Sequence, residues 1–332
     1  MSIIRIFLFF VLSVMIYAQE SKYELGKGLQ IGSLPLYIGG YVSLEYEYFD
    51  NTKSSFALDD VAILAYGNYE NASYMLELEA KDMYAYSKGD SKEINSNHFH
   101  IERLYVGYEF GEKLAIKLGK YNSPIGFWNL MPINILRDTS SSPKITKLLF
   151  PNFTSGLELE YHLGNEGNSL LHLMMQESED IDKWINDEVY NTFELDRHYG
   201  LGLSLEHSDI NYQLNAGYFH TIHDESYYYL LAGFEYKKSD FKLLGELGSQ
   251  FDEDAVSMPY IAYLQYSQII KDNHELILRG ESYENKKIDI KDTFLVAGYT
   301  YRPLAPLALK FEYQWHSYKE EEKALFSFSI LF

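Results

Sequence analysis

Two small groups of histidine and carboxylate residues are the first candidates for chemistry in this sequence. His98 and His100 could share a metal ion, and His220, His223 and Asp224 could form a base–carboxylate pair. Catalysis by such a base needs a nucleophile or an activated water within hydrogen-bond reach, and no serine motif accompanies either group. We interpret both groups as solvated loop histidines and predict no catalytic residue, no metal site and no cofactor.

The composition excludes several classes of protein. The 332 residues contain no cysteine, which excludes a thiol nucleophile, a disulfide framework and a thiolate metal site. The formal net charge of −20 argues against a nucleic-acid partner. The 31 tyrosines suit a membrane–water interface, where an apolar ring with a polar tip is favoured.

Charged residues alternate with apolar residues along most of the chain. This alternation is typical of β-strands, because successive side chains point to opposite faces. In one predicted strand the apolar face is Leu307, Leu309, Phe311, Tyr313 and Trp315, and the opposite face is Ala308, Lys310, Glu312 and Gln314. With turn residues between them, sixteen strands are predicted at 36–49, 56–68, 72–84, 98–110, 113–121, 155–163, 168–176, 198–206, 209–221, 227–236, 240–250, 257–268, 274–284, 292–301, 306–316 and 323–332.

The lengths of the connections favour a transmembrane antiparallel β-barrel of about 16 strands. The three long connections, 85–97, 122–154 and 177–197, fall on one side of the predicted sheet, and the tight turns fall on the other. Outer-membrane barrels show this sorting, with short periplasmic turns and longer external loops. A soluble β-sandwich or lectin-like fold is the alternative, but it has no reason to sort its loops.

The N-terminus has the pattern of an export signal. Arg5 precedes an apolar run that is too short for a membrane-spanning helix, which needs about 20 residues. We expect a cleaved signal peptide at 1–18, a periplasmic N-terminal segment at 19–35 and the transmembrane barrel at 36–332. This arrangement would place the mature chain in the bacterial outer membrane, with lipid around the barrel.

If the apolar faces meet lipid, the opposite faces line the interior of the barrel. Sixteen strands enclose an aqueous channel rather than a packed core, and water reduces the free-energy penalty of charges inside it. Carboxylates outnumber basic groups on these faces, which predicts a cation-leaning lumen. The predicted pore-lining residues are Glu45, Glu47, Glu77, Glu79, Arg103, Lys117, Glu158, Glu160, Arg279, Lys310 and Glu312.

The connection 122–154 is predicted to fold into the lumen and to control passage. Structureless connections of this length are uncommon and usually functional, and its prolines suit a rigid segment. The predicted pore-constriction residues are Arg137, Asp138, Lys144 and Lys147, which carry a small positive excess opposite an acidic wall. The alternative is an external cap or trimer-contact loop without a role in the pore.

The last predicted strand carries apolar residues on alternate positions up to the final aromatic one, among them Phe328, Ile330 and Phe332. Such a strand must be paired rather than left as an exposed edge, and closure of a barrel on its first strand would pair it. The pattern resembles the C-terminal strand of bacterial outer-membrane barrels, in which a final Phe belongs to the assembly signal. The resemblance implies recognition by the barrel-assembly machinery.

Several segments resemble the phosphate-selective porin O/P family. The segment similar to that family's strand-to-loop region is Leu118-Gly119-Lys120-Tyr121-Asn122-Ser123-Pro124-Ile125-Gly126. Residues 156–161 return to a strand as in the family, and 297–303 and 310–314 are similar to its late strands. The resemblance implies a sixteen-stranded channel, a homotrimer, with its third loop folded inside. The same segment also resembles siderophore-porin relatives.

The wall charges differ from what phosphate selection would need. A phosphate channel would carry a ladder of Arg and Lys side chains, whereas this loop offers only Arg137, Lys144 and Lys147. We therefore predict an outer-membrane porin, a non-enzymatic channel for passive diffusion of small hydrophilic solutes or ions. The alternatives are a substrate-selective porin for phosphate, other anions or siderophores, a barrel enzyme such as a phospholipase or protease, and an adhesive barrel.

Overall fold

Sixteen long antiparallel strands and two short ones form one continuous sheet. The computed structural model describes residues 22–49, 53–88, 99–131, 133–164, 169–185, 189–253, 255–317 and 322–332. The short strands are β1 (Lys22–Glu24) and β2 (Gly28–Gln30). The long strands are β3 (Tyr37–Phe49), β4 (Ser54–Tyr69), β5 (Ala72–Lys88), β6 (Phe99–Phe110), β7 (Leu114–Asn122), β8 (Phe153–Leu163), β9 (Ser169–Gln176), β10 (Leu195–His207), β11 (Ile210–Thr221), β12 (Ser226–Lys238), β13 (Phe241–Asp252), β14 (Met258–Lys271), β15 (His274–Asn285), β16 (Ile290–Leu304), β17 (Leu307–His316) and β18 (Lys323–Leu331).

The predicted barrel of sixteen strands is confirmed. Every predicted strand is present, and the largest difference is at β5, which continues to Lys88 where the prediction ends at 84. The predicted signal peptide at 1–18 lies outside the described residues. Among the described residues, no helix is long and apolar enough to span a membrane.

The last strand closes the barrel on the first long one. β18 pairs antiparallel with β3, with Phe326 opposite Tyr46 and Phe328 opposite Leu44. Beyond the strand, the Gly40 N–H donates to the Phe332 carbonyl over 2.7 Å, and the Phe332 N–H donates back to the Gly40 carbonyl over 2.8 Å. Closure thus satisfies the backbone groups that an open edge would leave unpaired.

Successive side chains along each strand alternate between an apolar outer face and a polar inner face, as the sequence predicts. Large apolar residues on the outer face are well exposed, for example Val106 at 61% and Leu118 at 62%. Their inward neighbours are charged yet buried, for example Glu77 at 0% and Lys310 at 2%. A soluble protein would reverse this order, because exposed apolar surface and buried charge are both unfavourable in water.

The two ends of the barrel differ in the lengths of their connections. At the short-turn end, β10 and β11 are joined by two residues, as are β12 and β13, and Ser208 and Ser239 adopt φ of 54° and 48° for these tight reversals. At the long-loop end, residues 123–152 connect β7 to β8 and 177–194 connect β9 to β10. We call residues 123–152 the inner loop.

Among the described residues, four short helical turns lie in the connections 123–152 and 177–194. The inner loop contains two 3₁₀ turns, Trp128–Leu130 and Asn134–Leu136, and the helix α1 (Lys144–Leu148). The second connection contains the 3₁₀ turn Ile181–Trp184. The inner loop is therefore folded rather than extended, in agreement with its proline content.

A hairpin precedes the barrel, which the sequence does not predict. β1 pairs with β2, and β2 pairs with the start of β3 through Leu29 opposite Ile38. The Tyr66 hydroxyl donates to the Lys27 carbonyl over 2.7 Å and holds the hairpin at the short-turn end.

Candidate pore and its inner loop

The inner loop crosses the barrel interior. It starts and ends at β7 and β8, yet its residues bond to inward side chains of β13 through β18, which lie several strands away in the sheet. The Gly126 N–H also donates to Asn215 on β11 over 3.3 Å. A segment that contacts inward side chains on so many strands must lie inside the cylinder rather than above it.

Asp138 of the inner loop forms several hydrogen bonds to the wall. Its carboxylate accepts hydrogen bonds from Lys242 Nζ on β13 at 2.8 Å and from Gln265 Nε2 on β14 at 2.6 Å. The hydroxyl of Ser267 donates to the same carboxylate over 3.3 Å, and Thr300 donates to the Asp138 carbonyl over 2.6 Å. Asp138 therefore faces the wall and anchors the inner loop to it.

Three predicted pore-lining residues also bond to the inner loop. Arg279 Nη1 donates to Thr139 Oγ1 over 2.7 Å, and Lys310 Nζ donates to Asn134 Oδ1 over 2.8 Å. Glu312 accepts a hydrogen bond from the Ser141 N–H at 3.2 Å. Arg279, Lys310 and Glu312 are buried, because the inner loop covers them. These charges fix the loop in place and do not face open solvent.

Apolar packing adds to the polar anchors. Trp128, Leu149 and Phe150 of the inner loop are almost wholly buried against a cluster on the wall. The wall residues of that cluster are Met174, Leu195, Phe219, Tyr227, Tyr229, Leu231, Leu244, Met258, Ile261, Tyr263, Tyr283, Phe294 and Val296. Most of these residues sit on the inward faces in the long-loop half, so that the inner loop packs against an apolar part of the wall.

The predicted acidic residues of β3 and β5 lie on the part of the wall next to β18. Glu45 and Glu47 are half-buried, and Lys323 pairs with Glu47. Glu77 is buried and forms an ion pair with Arg103 across the neighbouring strand. Glu79 is buried and accepts a hydrogen bond from the Tyr41 hydroxyl at 3.1 Å.

Two basic residues of the inner loop, Arg137 and Lys147, lie near this acidic part of the wall. Lys147 is solvent-exposed although the barrel surrounds it, and Arg137 interacts electrostatically with Asp60 of β4. Although water reaches the Lys147 side chain, the surrounding barrel partly desolvates its charge and lowers the pKa of Lys147, and the positive charges of Lys323 and Lys81 lower it further. Lys144 is half-buried, and its N–H donates to Glu281 over 2.7 Å.

The remaining predicted pore-lining residues form a separate group on β7 and β8. Lys117 Nζ donates to Glu158 Oε2 over 2.6 Å. Glu160 is the next inward residue on β8 and lies opposite His172 of β9. His172 was not singled out from the sequence, because only the strand register reveals its position beside the two carboxylates.

The interpretation of the histidine groups as solvated loop residues is wrong for two of them. His100 is buried on β6, with Nδ1 3.2 Å from Asp182, and His220 lies on β11 with Nδ1 2.7 Å from Asp196. Although burial opposes it, the hydrogen bond from His100 and the charge of Lys120 hold the pKa of Asp182 below its ordinary value. His223 is exposed in its turn, and His98 lies outside the described residues.

The three residues of the predicted assembly signal share the outer face of β18. Phe332 is exposed at its tip, while Phe328 and Ile330 are half-buried between neighbouring strands. Their inward neighbours Ser327 and Ser329 are buried. The face is thus apolar toward the exterior, as a lipid-facing strand requires.

The fold is similar to those of solved outer-membrane channels. The Salmonella typhi OmpF complex with daunomycin aligns with a TM-score of 0.66 at 10% identity, covering 94% of this chain and 100% of that chain. The channel DcaP of Acinetobacter baumannii aligns with a TM-score of 0.59 at 10% identity, covering 90% of this chain and 97% of that chain. A mutant of Rh. blastica porin aligns with a TM-score of 0.54 at 11% identity, covering 90% of this chain and 100% of that chain.

Sequence comparisons add no family to these structural ones. No protein-family model matches the chain, and no curated protein matches it either. The structural matches show a shared fold and do not single out the phosphate-selective O/P family. The chain has the sixteen-stranded fold of the outer-membrane porins.

Proposed function

We propose that this protein is an outer-membrane porin, a channel for passive diffusion of small hydrophilic solutes or ions. The observation that carries the proposal is the closed barrel with an apolar exterior, a charged interior and a folded loop inside it. A barrel enzyme would need a nucleophile or activated water beside a base, and the described residues around His100 and His220 provide carboxylate partners without a nucleophile.

The inner loop is proposed as the constriction. Its anchors, Asp138 and the residues bonded to Arg279 and Lys310, fix one side of it to the wall of β13 to β18. Its basic residues Arg137 and Lys147 then stand toward the neighbouring part of the wall that carries the carboxylates of β3 to β5. A solute would pass between positive and negative groups, so that dipolar solutes would be oriented as they cross.

The proposed cation preference is weak. Ion pairs neutralise several wall carboxylates, including Glu77 by Arg103 and Glu158 by Lys117. Glu45 and Glu47 stand on the inward face of β3 near Asp59, and this group of carboxylates is proposed to attract cations. We expect Glu45→Gln to reduce cation preference and Lys147→Met to increase it. Reversal potentials under a salt gradient would show both shifts, and shifts of the same sign would contradict the proposed arrangement.

Passive diffusion can be tested by swelling of liposomes that contain the purified protein. Uncharged sugars of increasing size should enter at decreasing rates, and a variant lacking residues 130–148 should admit larger sugars. Liposomes with heat-unfolded protein are the control. Equal swelling rates in the deletion variant and the wild type, with both barrels folded by circular dichroism, would show that the inner loop does not restrict the passage.

Export and assembly are proposed to follow the pattern of outer-membrane proteins. The signal peptide at 1–18, recognition of β18 by the barrel-assembly machinery and a homotrimer belong to this proposal. Mass spectrometry of the native membrane form would reveal the mature N-terminus, and cross-linking in membranes would reveal the number of subunits. An uncleaved N-terminus or a monomer would overturn the corresponding part.

A further inference from the structure

Two carboxylates and an imidazole converge on the inner wall toward the short-turn end. Glu158 and Glu160 are successive inward residues of β8, and His172 of β9 lies opposite Glu160 in the strand register. One ligand atom from each of the three residues lies within 4.8 Å of the others. The pairing of β8 with β9, rather than proximity in sequence, creates this group.

The spacing of the three ligand atoms suits a small tetrahedral cation. His172 Nδ1 is 3.2 Å from Glu158 Oε1 and 3.7 Å from Glu160 Oε2. Zinc binds nitrogen and oxygen at about 2.0–2.1 Å in a tetrahedron, which places neighbouring ligand atoms about 3.3 Å apart. The two distances from His172 bracket this value, and the two carboxylate oxygens lie within 4.8 Å of each other, so that side-chain shifts would complete the site.

Neighbouring residues hold the carboxylates without occupying the ligand atoms. Lys117 Nζ donates to Glu158 Oε2 over 2.6 Å, which leaves Glu158 Oε1 directed at His172. His162 Nε2 lies 3.2 Å from Glu160 Oε1, which leaves Glu160 Oε2 and places a second imidazole beside the group. Hydrogen-bonded carboxylates of this kind are usual around metal ligands. Two carboxylates and one lysine leave a net negative charge for a cation.

A cavity opens beside the group and contains an unsatisfied polar atom. The cavity has a volume of about 390 Å³ and is bounded by Glu158, Glu160 and His172 together with Gln213 of β11 and the inner loop. Gln213 is only 6% exposed, and its Oε1 has no hydrogen-bond partner among the described residues. A buried acceptor without a donor is unfavourable, and a water molecule on a bound cation would supply the donor.

We propose that Glu158, Glu160 and His172 form a binding site for a divalent transition-metal ion such as Zn²⁺, completed by water or by His162. Mixed imidazole and carboxylate ligands favour Zn²⁺ over Mg²⁺, which prefers oxygen ligands alone. The ion would sit on the wall of the lumen beneath the inner loop, where its charge would oppose entry of other cations.

Isothermal titration of the detergent-purified, EDTA-treated full chain with zinc chloride tests the site. The wild type should bind one Zn²⁺ in the cavity, and His172→Ala and Glu160→Gln should each weaken this binding at least tenfold. The matched control is His274→Gln, which removes a histidine that stacks on Tyr301 on the outer face. Circular dichroism would establish that every variant retains the barrel.

The outcomes separate the site from the proposed channel. Absence of Zn²⁺ binding by the wild type would overturn the inference, and so would equal weakening by His172→Ala and His274→Gln. Equal affinity for Mg²⁺ and Zn²⁺ would overturn it as well, because the imidazole would then play no part. Binding is measured without any current, so its result does not depend on whether the barrel conducts.

Discussion

Replacing Asp138 by Asn should release the inner loop from the wall. The substitution keeps the shape of the side chain but removes the charge that faces Lys242 Nζ at 2.6 Å. Removing one partner of a buried ion pair costs about 3–5 kcal/mol, and the lower value applies here because the side chains of Lys242 and Asp138 keep 17% and 8% exposure. A loss of about 3 kcal/mol corresponds to a roughly 100-fold rise in the population of the released loop.

Limited proteolysis and single-channel recording would detect this release. Trypsin cleaves after lysine and arginine, and Arg137, Lys144 and Lys147 all lie in the inner loop. When cleavage follows local opening, its rate tracks the open population, so that the rate should rise by about two orders of magnitude. The open-channel current should also become noisier.

The matched control is Asp224→Asn, which makes the same chemical change at a side chain that is 98% exposed in a turn at the long-loop end. This variant should behave as the wild type in both assays. Trypsin cleavage and current noise that are equal in the Asp138→Asn and Asp224→Asn variants would refute the anchoring role of Asp138.

Three further predictions concern packing, charge and closure. Trp128→Ala should reduce the free energy of unfolding by about 3–5 kcal/mol, because the ring is 1% exposed and its loss would leave a cavity. Urea titration measures this loss, and an unchanged unfolding midpoint would contradict the prediction. The lowered pKa of Lys147 means that its side chain should lose its positive charge at a pH below ~10.4, the ordinary value for lysine. Cation preference of the wild type should therefore rise as the pH is raised. Lys147→Met should abolish that rise, and reversal potentials that change equally in both proteins would contradict it. Deletion of Phe332 should slow folding into lipid vesicles, because Gly40 loses both backbone partners, whereas Phe332→Leu should fold at nearly the wild-type rate.

The fold could be predicted from the sequence because each strand carries its own signal. Alternation with a period of two identifies both the strand and its inward face, and tight turns between strands fix the order. Strand ends were predicted less well, as at β5, because pairing with a neighbour can extend a strand beyond its alternating segment. The hairpin β1–β2 was missed because strands of three residues carry too little pattern.

The site was predicted less completely because its contacts join distant parts of the chain. The alternation of side chains along each strand placed Lys310 and Arg279 on the inner face, but it could not show that the inner loop covers them. The sequence places Asp138 in the loop, but it does not show that the side chain faces the wall. His172 lacked any sequence signal of its own, since its position beside Glu160 follows from the register of β8 and β9.

Single-channel recording in planar bilayers tests the central claim, an aqueous passage through the barrel, most directly. The wild-type protein should give discrete, ohmic current steps, and the variant lacking residues 130–148 should give larger ones. A barrel that inserts into the bilayer with its native circular dichroism but passes no ions, with or without the inner loop, would contradict the account.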